Sequence, residues 1–124
     1  MCDKEVVLSI LGQIDAALET IKIRTTPIKS PSDFTGSPDG MFVLDGVCML
    51  FVAIGESIKN LDKITDRAFL ICYPEIDWSG VTGFRDIIAH HYFDLDADQV
   101  FVICTRHLEP LQRVIRRMIA DTSP

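Results

Sequence analysis

Apolar residues recur at three- and four-residue steps between Lys4 and about Arg24: Val7, Ile10, Leu11, Ile14, Ala17, Leu18 and Ile21. This stripe predicts a first helix, with Gln13, Asp15, Glu19 and Lys22 largely off it. Two threonines and Pro27 end it. Thr25 to Gly40 holds three prolines and two glycines and reads as a long crossover loop, with Phe34 as its anchor into the core. Met41 to Leu61 predicts a second helix, apolar on nearly every side in its first half and therefore central. A short third helix is expected from Asp62 or Lys63 to Ile71, stopped by Tyr73-Pro74. Asp77 is placed to cap a fourth, whose Val81, Phe84, Ile87 and Ile88 make a core face. Asp94-Leu95-Asp96 is a turn, and Asp96 or Asp98 caps a last helix from about Ala97 to Ala120. Pro110 lies inside it, so a kink or break is expected near Arg106 to Leu108.

No strand-like alternation persists, and repeats and low-complexity tracts are absent. The pattern predicts an all-α antiparallel helical bundle of four to five helices, forming a single domain over residues 1–124. That length suffices for a proper core without staples.

Charge narrows the partners. Eighteen acids against twelve bases give a net charge of −6. A surface that grips long nucleic acid through its phosphates is normally basic, so DNA is not expected, and RNA could be held only in a local basic cleft. Candidates for that cleft are Arg106, Arg113, Arg116 and Arg117, together with Lys22, Arg24 and Lys29. Cys2, Cys48, Cys72 and Cys104 show no paired spacing, so neither disulfides nor a zinc site is expected. The opening M-C-D-K-E-V lacks the basic-then-apolar order of a signal peptide. The most apolar run, Met41 to Ile54, is short for a membrane span and is interrupted by Asp45 and Gly46. A cytoplasmic location and no membrane partner are the expectation. The slightly positive mean hydropathy hints at an apolar interface between copies.

Candidate chemistry concentrates in Gly83 to Tyr92, G-F-R-D-I-I-A-H-H-Y, which holds two of the chain's three histidines. On a helix Asp86 and His90 share a face and can pair. Arg85 and His90, five apart, diverge by about 140° on ideal geometry, so the arginine must reach round or the helix must loosen near its end. The helix C-terminus and Asp86 both favour a charged His90, which suits a general acid or base near neutral pH. Arginine keeps its proton and can hold phosphate oxygens bidentately. With no Ser or Cys nucleophile nearby, the set suits phosphate chemistry in which RNA supplies its own 2′-hydroxyl. The competing reading is a surface hydrogen-bonding cluster. His90 and His91 are adjacent and point apart, with no third ligand suitably spaced, so no metal is assigned. Gly55-Glu56 on the second helix reads either as a close-packed glycine beside a solvated glutamate or as part of a site.

R-D-I-I-A-H-H-Y fits the R-x4-6-H-x-Y signature of the HEPN superfamily, with Arg85, His90 and Tyr92 at its fixed positions. The flanks resemble the HepT-like branch: S-P-S-D-F, A-I-G-E-S-I-K-N-L, Y-P-E-I-D-W-S-G-V-T-G-F-R-D, H-H-Y-F-D-L-D and L-E-P-L occur in order. The resemblance implies a homodimer with two motifs facing across a cleft. It also implies an endoribonuclease toxin of a two-gene toxin-antitoxin system that needs neither metal nor cofactor. The usual partner is an MNT-type nucleotidyltransferase antitoxin that attaches AMP to the motif tyrosine, here Tyr92. Arg85 would then position the scissile phosphate and His90 would serve as acid-base residue, with Asp86, His91 and Glu56 supporting them. The family often has Asn where Asp86 stands, and the added negative charge should weaken RNA binding. The alternative is a non-catalytic nucleotide- or substrate-binding subunit of a nucleotidyltransferase complex.

Overall fold

Asp3 starts the first helix by accepting a hydrogen bond from the Glu5 N–H at 2.9 Å, leaving α1 to run Lys4–Arg24, the span its apolar stripe predicts. The computed structural model describes residues 3–123, so Cys2 lies outside the described residues. Leu11, Ile14, Leu18 and Ile21 form the buried seam of α1. Within the crossover, Ser32–Thr35 forms a single helical turn, α2, which places Phe34 fully in the core. Truncating so buried a ring typically costs about 3–5 kcal/mol, which makes Phe34 the fixing point of an otherwise polar segment.

Ser37 caps α3, accepting from the Gly40 N–H at 3.0 Å, with Pro38 as the first helical residue. The helix runs Pro38–Ile64, three residues beyond the expected Met41–Leu61 at each end. By length and composition alone, α3 is long and apolar enough to cross a bilayer, a property that central core helices share. Val47, Cys48, Ile54, Ile58 and Leu61 are buried, and α1 and α4 flank it, the arrangement of a central bundle helix.

The expected third helix from residue 62 to 71 does not form. Thr65 caps α3, Asp66 and Arg67 adopt left-handed conformations (φ 54° and 59°), and only a 3₁₀ turn at Leu70–Cys72 follows. The apolar spacing of Leu61, Ile64 and Leu70 mimics a helix, but the left-handed pair breaks the path without any Gly or Pro to announce it. Asp77 then caps α4, Trp78–His91, by accepting from the Gly80 N–H at 3.0 Å. A second 3₁₀ turn, Tyr92–Asp94, leads to Asp96, which caps α5, Ala97–Val102.

The break expected near Arg106 to Leu108 takes the form of a change in winding. Ile103–His107 is π-helical and continues directly into α6, Leu108–Thr122, with Pro110 in its first turn. The fold is an all-α bundle, and the described residues contain no strand.

Three of the seven cations expected to build a basic cleft, Lys22, Arg116 and Arg117, are engaged in ion pairs. Arg116 pairs with Asp15 at 3.0 Å and Glu19 at 3.3 Å, and Arg117 pairs with Glu75 while lying over the Tyr73 ring. Lys22 pairs with Glu109 at 3.0 Å. Buried Gln112 donates to Asp15 and Glu19 and accepts from Lys22, joining α1 to α6. These cations lock the bundle together.

Candidate active site

Close packing of α4 on α3 fixes the motif arginine. A Cβ added at Gly55 would lie 2.4 Å from the Arg85 Cβ and 2.9 Å from its Cγ, so only glycine leaves room for the arginine stem. The glycine is close-packed, and its neighbour Glu56 is an ion-pair partner of Arg85, not a solvated bystander. Asp86 Oδ1 accepts from Arg85 Nη1 at 2.8 Å on the other side. Arg85 Nε is buried and has no hydrogen-bond partner, an unmet donor at the centre of the cluster.

The electrostatics follow the geometry. The hydrogen bond from Arg85 holds the Asp86 carboxyl below its ordinary range, with Lys59 and His90 adding to the effect. Reciprocally, the Asp86 hydrogen bond, with Glu56 helping, keeps Arg85 firmly protonated. His90 is thus close enough to act on Asp86, yet no hydrogen bond joins them, so the expected pairing is electrostatic only. Its imidazole is exposed and makes no hydrogen bond among the described residues, and His91 is exposed beside it.

Arg85 and His90 both lie within regular α4, which first departs from helical geometry at His91 (φ −134°, ψ 34°). The loosening comes one residue too late to swing His90 toward Arg85, so one chain leaves the two turned apart. Tyr92 bends back to α3, its hydroxyl donating to Asp45. Asp45 reads in the sequence only as a break in an apolar run. Its signal was a lone carboxylate on the helix that faces the motif.

Apolar surface frames these groups. On α3, Phe42 (81% exposed) and Met49 (67%) fall on the same stripe as Asp45 and Glu56, spaced by three, four and seven residues. On the α4 side, Ile87 is exposed and Phe93 is wholly so. Elsewhere, the Cys48 and Cys104 thiols are pushed up to about 12, chiefly by burial, which leaves them unreactive packing groups. Among the described residues no three His, Cys, Asp or Glu side chains gather to hold a metal ion.

The structure is thus an all-α bundle that carries Arg85, His90 and Tyr92 at R-x4-H-x-Y spacing on α4 and the turn after it. The chain matches the family described as "Ribonuclease HepT-like" over residues 14–118. It belongs to the ribonuclease HepT-like family. It is also similar to "Putative RNase MJ0127" of Methanocaldococcus jannaschii, 31% identical over 68 residues. The match covers 55% of this chain and 53% of that protein, so the chain spans about half the length of its curated relative. No solved structure matches.

Proposed function

We propose that the chain is an endoribonuclease working as a homodimer through Arg85 and His90 without a metal ion. The observation that carries this reading is the face itself. Arg85 and His90 diverge within one chain but share a surface framed by exposed Phe42, Met49 and Phe93. A second copy covering that apolar frame would remove it from water and bring a second motif opposite the first. Arg85 then holds the scissile phosphate. One His90 takes the proton of the 2′-hydroxyl, whose oxygen attacks phosphorus, and the His90 of the second copy protonates the departing 5′-oxygen. The products are a 2′,3′-cyclic phosphate and a free 5′-hydroxyl. Arg85, charged throughout, stabilises the extra negative charge at phosphorus.

The biological setting we propose is a toxin of a toxin-antitoxin pair in the cytoplasm, silenced when an MNT-type nucleotidyltransferase attaches AMP to Tyr92. Tyr92 reaches Asp45, on the same α3 stripe as Glu56, the partner of Arg85, so a bulky charged adduct there would obstruct the cleft. The alternative, a non-catalytic nucleotide- or substrate-binding subunit of a nucleotidyltransferase complex, draws support from Glu56 and Asp86, which both occupy Arg85.

RNA degradation in the presence of chelator separates the two. Wild-type protein should cleave, and His90→Ala should lose about a hundredfold or more of the rate. Equal rates overturn the nuclease reading. Co-expression with an MNT-type nucleotidyltransferase encoded beside it should add AMP mass to the wild type and none to Tyr92→Phe. An unchanged wild-type mass removes the proposed silencing.

A further inference from the structure

We infer that a groove running from Glu56 along the end of α3 to Arg67 is the subsite that holds the single-stranded RNA backbone next to the scissile phosphate. The inference rests on the nuclease reading and extends it to substrate binding. The groove has a volume of about 610 Å³, within the range of ligand sites, and Lys59, Lys63, Arg67 and Trp78 are among its walls. It begins at the active site, because Glu56, the ion-pair partner of Arg85, lines it. Lys59 also acts electrostatically on Asp86, which ties its first cation to the same cluster.

Three observations distinguish this groove from ordinary surface. Lys22, Arg116 and Arg117 are engaged in ion pairs, whereas Lys59, Lys63 and Arg67 form none among the described residues. Counting the neighbouring Arg85 cluster, four cations, Lys59, Lys63, Arg67 and Arg85, stand against three acids, Glu56, Asp62 and Asp86. A chain of net charge −6 thus keeps a local cationic track leading away from its motif.

The second observation is Arg67 itself. Lys63, in the last turn of α3, is favoured there by the helix dipole. Arg67 lies beyond the helix, in a left-handed conformation (φ 59°) that glycine adopts at no steric cost. The turn after α3 holds this arginine against the groove where a glycine would be the easier residue.

The third is Trp78, the chain's one tryptophan, whose indole N–H is fixed by the Tyr73 carbonyl at 2.9 Å. An aromatic wall beside a cationic track is the composition that binds single strands without base-specific contacts. From Glu56 to Lys63 is about 10 Å of helix axis, enough to reach past the scissile phosphate to its neighbour.

Trp78 emission provides the test. Full-length His90→Ala protein, which leaves RNA intact, is titrated with a hexamer of oligoadenylate at several salt concentrations. Addition of RNA should change Trp78 emission. Lys63→Gln and Arg67→Gly should each weaken binding several-fold and flatten the dependence of log affinity on log salt by about 0.7 for each phosphate no longer neutralised. Arg67→Gly removes a left-handed non-glycine residue, so its melting temperature should not fall, and weaker binding then cannot be ascribed to unfolding. Emission that ignores RNA, or variants that bind like their parent, overturns the groove. If cleavage nevertheless depends on His90, the nuclease reading survives that result. Conversely, if wild type and His90→Ala cleave alike while binding still depends on Lys63 and Arg67, the groove stands as an RNA site and the nuclease reading falls.

Discussion

Gly55→Ala is the most informative single change, because it adds one methyl where α3 meets the stem of Arg85. The new carbon would start 2.4 Å from the Arg85 Cβ. Ordinary carbon–carbon contact is about 3.5 Å or more, so α4 must retreat by roughly 1 Å. The obstacle is the base of the side chain, which a rotamer change cannot move. Overpacking of this kind typically costs about 1–3 kcal/mol. Replacing a helical glycine by alanine returns about 1 kcal/mol, so a net loss of between about zero and 2 kcal/mol is expected. Activity should suffer more than stability, since about 1 Å of misplacement can remove about a hundredfold of rate. Gly12→Ala is the control: nothing lies within 4 Å of its added Cβ, and it should gain about 1 kcal/mol with cleavage unchanged. Thermal melts and initial rates of RNA cleavage on wild type and both variants complete the comparison. If Gly55→Ala is stabilised as much as Gly12→Ala and cleaves at full rate, the packing at Gly55 does not position Arg85.

Two further outcomes follow from the charges around that arginine and elsewhere in the bundle. Glu56→Gln should raise RNA affinity several-fold in the His90→Ala background, because a phosphate need no longer displace a carboxylate from Arg85; unchanged or weaker binding would show that Glu56 orients the guanidinium and does not compete for it. Stability should also fall in acid. Asp86 is held low first by the Arg85 hydrogen bond, Glu109 by Lys22, and Glu75 by a backbone hydrogen bond and then Arg117. A depressed carboxylate stabilises the fold above its unfolded pKa of about 4 and loses that contribution as pH drops through its folded value. Urea midpoints should therefore hold from neutral pH down to about pH 5 and decline below about pH 4, less steeply in Lys22→Gln. An equally steep acid limb in that variant would mean the Lys22–Glu109 pair adds nothing.

Elements set by local chemistry were legible in the sequence. The bounds of α1, the Asp77 and Asp96 caps and the burial of Phe34 depend on residues within a few positions of one another. The R-x4-H-x-Y spacing likewise picked out one helix and the turn that follows it. Its partners on another helix were legible only in part. Glu56 was expected as a supporting residue, but its pairing with Arg85 and that of Asp45 with Tyr92 arise only when α3 and α4 pack, and no periodicity encodes them. The failed third helix has the opposite cause. Its apolar spacing was real, but a left-handed Asp66-Arg67 pair carries no glycine to reveal it. The same concealment affected the cations: composition pointed to the C-terminal arginines, of which Arg116 and Arg117 are held in ion pairs, and passed over Lys59, Lys63 and Arg67 in the groove.

The π-helical turn at Ile103–His107 bears on how this chain can change over time. The π-turn takes up one extra residue locally: its five residues turn through about as much as four of an α-helix, so Val100 of α5 and the seam of α6 from Leu108 to Met118 both face the core. Tightening the segment to a uniform helix with every residue kept would rotate α6 against α5 by about 100° and turn one of those seams outward. Deleting a single position such as Thr105 should instead let the helix close with both seams in place.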